Sequence, residues 1–305
     1  MKTNKIFISA FALTIAFGSL TSCSSDSDSS LPPIGGYDNA GEVGATDLIA
    51  YWPLNGNGKE SISNTSPSTT VGASYEDGIK GQGAKLTNGY MKYPSITALT
   101  GTLNAYTISA WAKLKNNQTP TTGSVSVILS LSRPNEWEGN LNMYAETGQR
   151  PAVEENGAVN DSIVFKSGFR TTASDGQAYE NLLHLEPWMI ADNLVTPGKH
   201  VARPIAVGGT WAHVVATWDG ATNKFIIYIN GVKSSNPAFE IRGSNTSIIF
   251  DSPTSPIIGA FGNVDTTADT WNKPMTGSLD EIRVWKKALS ASDVNSLYEL
   301  ELAGR

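Results

Sequence analysis

The chain has 305 residues, a formal net charge of −6, 16% charged residues and one cysteine. The acidic balance argues against nucleic acid or an anionic membrane surface as a partner. A lone cysteine excludes an internal disulfide, so the folded part must rest on its core and on any metal it binds. Glycine is abundant and the apolar runs are short, which favours a β-sandwich over a helical fold. No internal repeat at a fixed period is present.

Lys2 and Lys5 precede an apolar run over residues 6–20, the form of a signal peptide too short to span a membrane as a structural helix. The run ends at Leu20, Thr21, Ser22 and Cys23. Small residues before the single cysteine resemble a bacterial lipobox, which implies cleavage before Cys23 and lipidation of Cys23. Residues 24–30 are serine and aspartate, followed by Pro32, Pro33, Gly35 and Gly36, a composition that reads as a flexible tether. Its acidic residues resemble the surface-export signal of Bacteroidetes-type lipoproteins, with a periplasm-facing spacer as the alternative. The expected organisation is a signal peptide over 1–22, an acylated cysteine and tether over 23–47, and one domain over 48–305.

The domain opens with a short aromatic strand over 48–54, then a polar Gly/Asn loop over 55–64. Residues 83–86 and 90–93 read as strands around a turn at Asn88 and Gly89. Residues 105–113 alternate, with Tyr106, Ile108, Ala110 and Ala112 on one face and Thr107, Ser109 and Trp111 on the other. Residues 124–131 make another strand. From 133 to 200 the pattern weakens. Trp137, Met143 and Tyr144 flank a possible strand, 164–169 reads as a strand, and Trp188 lies in the remainder. This excursion is longer than a minimal sandwich needs, and such excursions are common places for binding surfaces.

Order returns with a strand over 209–218 carrying Trp211, His213, Val215 and Thr217 on one side. Asp219-Gly220 and Asn230-Gly231 turns bracket a strand over 224–230, a meander signal. Short elements over 248–250 and 256–260 precede a loop over 261–276 with Asp265, Asp269 and Trp271. The final strand, 277–285, alternates. Leu279, Glu281, Arg283 and Trp285 are expected on one face, with Asp280, Ile282 and Val284 on the other. A helix follows, capped by Ser290 with Asp293 in capping-box spacing, and Val294, Leu297, Tyr298 and Leu300 give its apolar face. The first strand should lie beside the last.

Several pieces, in order, resemble the laminin-G-like domain of the concanavalin A-like lectin/glucanase superfamily. They are residues 50–56, 106–111, 209–215, 228–231, 258–259, 277–285 and 288–294. The resemblance spans roughly 48 to 302. It implies a jelly-roll β-sandwich of two curved antiparallel sheets with a short C-terminal helix. It also implies a concave face or rim loops that bind carbohydrate, and a structural calcium ion. Asp280 maps onto the element that holds calcium. The aspartate usual after the first strand is missing here, leaving Glu60 or Asn57 to supply its oxygen.

Carbohydrate recognition needs an aromatic platform with polar partners beside it. Trp137, Trp188 and Trp271, with Tyr144 beside them, fall in loop-like or weakly patterned regions and are the candidates. Trp52, Trp111, Trp211 and Trp285 lie in regular strands and are expected in the core. Retaining glycosidases need two facing carboxylates, and the Glu-x-Asp-x-x-Glu strand motif of the superfamily's glucanases is absent. Glu136 with Glu138, and Glu154 with Glu155, are the remaining acid pairs. His213 reads as a structural histidine. No nucleophile elbow, zinc box or nucleotide loop occurs. The expectation is a non-catalytic, glycan-binding outer-membrane lipoprotein exposed at the cell surface. A protein-binding module and a glycoside hydrolase are the alternatives.

Overall fold

A computed structural model of the protein describes residues 31–115, 125–133, 136–137, 139–146, 163–173, 176–183, 207–235, 240–241, 247–248 and 254–305; over 171–173 and 176–183 it describes the backbone. Cys23, the expected lipidation site, and Trp188, a candidate tryptophan, lie outside these residues.

Thirteen strands form the scaffold. They are β1 (Leu48–Trp52), β2 (Thr69–Asp77), β3 (Gln82–Lys92), β4 (Ala105–Leu114), β5 (Val125–Ser132), β6 (Leu141–Glu146), β7 (Val164–Ala173), β8 (Gly176–Leu183), β9 (Trp211–Asp219), β10 (Lys224–Ile229), β11 (Val232–Lys233), β12 (Ser255–Ile258) and β13 (Met275–Trp285); helix α1 (Ala291–Leu302) closes the chain. The strands run β11-β10-β9-β4-β13-β3-β12-β5-β6-β7-β8, with β1 on β13 and β2 on β3. First and last strands are therefore neighbours, as the sequence implied, with Tyr51 opposite Arg283.

Hydrogen bonding makes one continuous sheet that curls back on itself. The short strand β12 pairs with β3 on one side and β5 on the other, and so joins the two layers. The curl brings β7 against β4, β9 and β10. The Phe169 ring lies 4.9 Å from Trp218, 5.0 Å from Phe225 and 5.6 Å from Tyr106. Between the layers the apolar residues of alternating positions bury completely, including Trp52, Ile108, Ala110, Leu131, Met143, Ile227 and Val284. Strand alternation delivers one face of each strand to this core.

The last strand departs from simple alternation. Leu279, Ile282 and Val284 all enter the inter-layer core, which strict period two forbids. The pairing with β4 slips between Asp280 and Arg283, and Glu281 has φ 49°. A bulge of this kind inserts one residue and resets the faces. Leu279 thus parts company with Arg283 and Trp285, which turn outward beneath the helix.

Residues expected in a tether are in fact packed from Ile34 onward. Short 3₁₀ turns span Ala40–Glu42 and Ala45–Asp47. Ala40 and Val43 bury against Leu289, Val294, Leu297 and Leu300. The Trp285 indole donates to the Val43 carbonyl at 3.1 Å, and the Tyr37 hydroxyl donates to Asp293 at 2.8 Å. Helix α1 carries the expected capping box, with the Ser290 side chain accepting from the Asp293 amide and the Asp293 carboxylate accepting from the Ser290 amide. It lies on the outer face of the β9-β4-β13 layer, over Val215 and Trp285.

Candidate functional site

The outer face of the second layer carries the aromatic group. Strands β5 and β6 turn Val127 and Tyr144 outward, and the loop before β13 lays Phe261 over them. Trp137, from the β5–β6 connection, and Trp271, from that loop, stand on this base. Their rings are 5.8 Å apart at 86°. Each also meets Phe261, at 5.8 Å for Trp137 and 6.5 Å for Trp271. Edge-to-face pairs of this kind contribute about 0.5–1.5 kcal/mol each beyond burial and so fix ring orientation. The Val125 amide donates to the Trp271 carbonyl at 3.2 Å, tying the loop to β5. Asn263 accepts from the Asn272 carboxamide at 2.8 Å, and its carbonyl accepts from the Thr266 and Thr267 amides, which stiffens the loop.

Both indoles are half-buried, so part of each ring faces solvent. Glu136, next to Trp137, and Asp269, two residues before Trp271, are exposed acceptors beside them. Tyr144 does not join the surface. It is 4% exposed and edge-on to Phe261 at 5.6 Å, which makes it the support of the platform.

Acid pairs of a hydrolase are sought next to a cleft. Glu136 is exposed and pairs with Arg133 at 3.6 Å. Glu138, Glu154 and Glu155 lie outside the described residues. The closest buried carboxylates are Glu281 and Glu301, both with no exposure and both bound to Arg283, with Nη2 at 2.5 Å from Glu281 and Nη1 on Glu301. The Trp111 indole donates to Glu301 at 2.7 Å, Tyr51 donates to Glu281 at 2.8 Å, and the Tyr51 ring lies under the guanidinium at 4.4 Å. Burial pushes the Glu301 carboxyl up to about 7, against the opposing pull of Arg283. Burial, helped by Arg283, holds the His213 imidazole down to about 3. His213 is therefore neutral at physiological pH, with Ser109 at 2.8 Å from its Nε2. This network fastens α1 to the sheet and is sealed from any substrate.

The residues expected to hold calcium do not converge as a cation site. Glu60 is fully buried and accepts from the Tyr51, Ile62 and Ser63 amides at 2.7, 2.9 and 2.6 Å, and from the Ser63 hydroxyl. Asp280 accepts from the Ile79, Lys80 and Glu281 amides at 2.7, 3.1 and 2.9 Å. Burial pushes its carboxyl up to about 7 despite those donors. Asn57 is exposed and bridges Asn55 and Lys59. Calcium takes six to eight oxygen ligands. Among the described residues no group of three or more His, Cys, Asp or Glu could hold a metal. These acids close their own loops by accepting from backbone amides, a donor set that does not fit the ion.

Trp52, Trp111 and Trp285 are buried, as their strands implied, but Trp211 is half-buried on the outer face of β9. Regular strand position alone misplaced it, because that face of the sheet is only partly covered.

Two curled antiparallel layers with one short C-terminal helix define a concanavalin A-like jelly roll. A family model described as the concanavalin A-like lectin/glucanases superfamily matches residues 184–295. No curated protein matches the chain. Among solved structures, domain 4 of the extracellular arabinanase AbnA from Geobacillus stearothermophilus, in complex with arabinotriose, is similar. It is 19% identical, with 82% of this chain and 98% of that chain covered and a TM-score of 0.48. The binding domain of botulinum neurotoxin serotype G is 13% identical, with 83% and 51% covered and a TM-score of 0.52. The binding domain of botulinum neurotoxin DC, in complex with rat synaptotagmin II, is 12% identical, with 85% and 52% covered and a TM-score of 0.50. The chain thus spans about half the length of the toxin domains. At these identities the likeness to the toxin domains concerns the fold alone.

Proposed function

We propose that this protein is a non-catalytic glycan-binding module, carried on a lipoprotein anchored through Cys23 at the outer membrane and exposed at the cell surface. The observation that carries the reading is the Trp137–Trp271 pair, two half-exposed indoles set at 86° on a buried aromatic base. A sugar ring stacks its C–H face on one indole while the second ring bounds its edge, and Glu136 and Asp269 accept hydroxyl protons. Fixed rings lose little conformational freedom on binding, which is what a weak recognition surface needs. A glycan array followed by titration calorimetry tests it. Trp137→Ala/Trp271→Ala removes binding to every neutral glycan the wild type retains, with an unchanged fold. Equal binding by both proteins refutes the assignment. Labelled fatty acid incorporated into the wild type and absent from Cys23→Ala tests the anchor.

A further inference from the structure

A groove of about 590 Å³ lies on the outer face of the first layer, away from the aromatic pair's strands. A register row crosses five strands there, and its members Lys85, Ser278 and Lys113 line the groove. Ser74 on β2 is opposite Lys85 on β3, Lys85 is opposite Ser278 on β13, Ser278 is opposite Lys113 on β4, and Lys113 is opposite Trp211 on β9. Because a row shares one face of the pleat, these side chains rise together. Thr87, Thr276 and Lys115 continue the lining. The volume is within the roughly 300–1,000 Å³ usual for small-molecule sites.

Three ammonium groups face one carboxylate here. Glu76 is held by Lys113 at 2.5 Å, Lys85 at 3.3 Å and the Ser278 hydroxyl at 2.8 Å. Those bonds, that of Lys113 first, hold its carboxyl at about 2, well below the ordinary range. The groove therefore already demonstrates how it stabilises a carboxylate, and it retains an excess of positive charge in a chain of net charge −6. Lys115 is exposed and has no hydrogen bond or ion pair among the described residues. Its stem runs past Gly209, where a Cβ would stand 3.6 Å from Cε. Lys113 is oriented by the Trp211 ring, 5.0 Å from its Nζ. The tip of that indole reaches within 3.2 Å of where a Cβ would stand on Gly83 of β3, so the ring lies across the intervening strands.

We propose that this groove is a second binding site, for the carboxylate of an acidic saccharide, with Lys85, Lys113 and Lys115 as cationic contacts and Thr87, Thr276 and Ser278 as hydroxyl partners. The saccharide identity rests on the glycan reading above; the charge does not. Planar, bidentate recognition of phosphate draws arginine, and the lining holds lysines alone as cations. Lysines on a flexible stem suit single carboxylates spaced along a sugar chain.

The test is calorimetric titration of the full chain with oligogalacturonate, with a neutral galactose oligomer of equal length, and with polyglutamate. Lys115→Glu is the main variant, since Lys115 holds no hydrogen-bond or ion-pair partner among the described residues; Lys85→Gln/Lys113→Gln is the second, with melting temperature followed in both. The expected result is oligogalacturonate binding that weakens as salt rises and falls by about tenfold or more in Lys115→Glu at unchanged melting temperature. It should persist in Trp137→Ala/Trp271→Ala, which loses the neutral oligomer. Loss of neutral binding alone in the wild type sinks the aromatic site and leaves the groove standing. No oligogalacturonate binding, equal affinity in Lys115→Glu, or polyglutamate binding as tightly as the uronate would each overturn the proposal.

Discussion

Replacing Arg283 by methionine probes the buried network most severely. The guanidinium side chain is 2% exposed and neutralises two carboxylates that are completely buried. Without it Glu281 and Glu301 remain as adjacent buried acids, with only the Tyr51 hydroxyl and the Trp111 indole as strong donors. Breaking a buried pair by removing one partner costs about 3–5 kcal/mol. In a domain of this size about 1 kcal/mol moves the melting temperature by roughly 2–4 °C, so a drop of roughly 6–20 °C is expected by calorimetry at neutral pH. Two controls separate charge from packing. Adding Glu281→Gln and Glu301→Gln should recover part of the loss, because the orphaned charge goes with them. Lowering the pH to 5 should narrow the gap, because Glu301, whose carboxyl burial pushes up to about 7, is then protonated. A change under 2 °C, or no recovery in either control, refutes the view that this cluster clamps α1 to the sheet.

Three further outcomes follow from the same geometry. Glu301 has a folded-state pKa of about 7 against 4.5, so between those values the folded state binds more protons than the unfolded one. That contribution to stability is present below pH 4.5 and lost as pH rises toward 7. The melting temperature of the wild type relative to Glu301→Gln should therefore decline over that window, and a flat difference would contradict it. Because Glu60 and Asp280 accept only amide and hydroxyl protons, adding calcium and then chelator should leave the melting temperature unchanged; a rise reversed by chelator would overturn their role as loop clamps. Ser290→Ala removes the helix cap and should cost about 1 kcal/mol, read as a fall of roughly 2–4 °C.

Much of the scaffold was legible because alternation and turn chemistry act locally. Residues 105–113, the meander of β9 and β10 and the cap of α1 stand where their patterns put them. β2 was missed because it pairs along one side only and leaves Thr69, Thr70 and Val71 exposed, so no apolar face marks it. β3 read as two strands because Asn88, with φ 45°, resembles a turn, whereas it sits within one irregular strand. The bulge at Glu281 was invisible for a different reason. Its left-handed backbone goes with the slip in pairing against β4, a strand far away in the chain, and the Glu281 amide then donates to the neighbouring Asp280. Glu281 and Arg283 in β13 need solvent or partners, and Glu301 on α1 and Tyr51 on β1 supply the partners. For the candidate site, loop position drew attention to Trp137 and Trp271, which the structure brings together on one aromatic base. It could not show that Tyr144 lies beneath them, nor that Trp211 borders a lysine-lined groove, since both depend on which sheet face the chain later covers.

Affinity electrophoresis through gels containing the neutral polysaccharides retained on the array is the most direct check on recognition by the indole pair. The account predicts that the wild type is retarded and that Trp137→Ala/Trp271→Ala, at an unchanged melting temperature, runs at the speed seen in a sugar-free gel. Equal retardation of the two proteins, or a wild type that no polysaccharide slows, would contradict it.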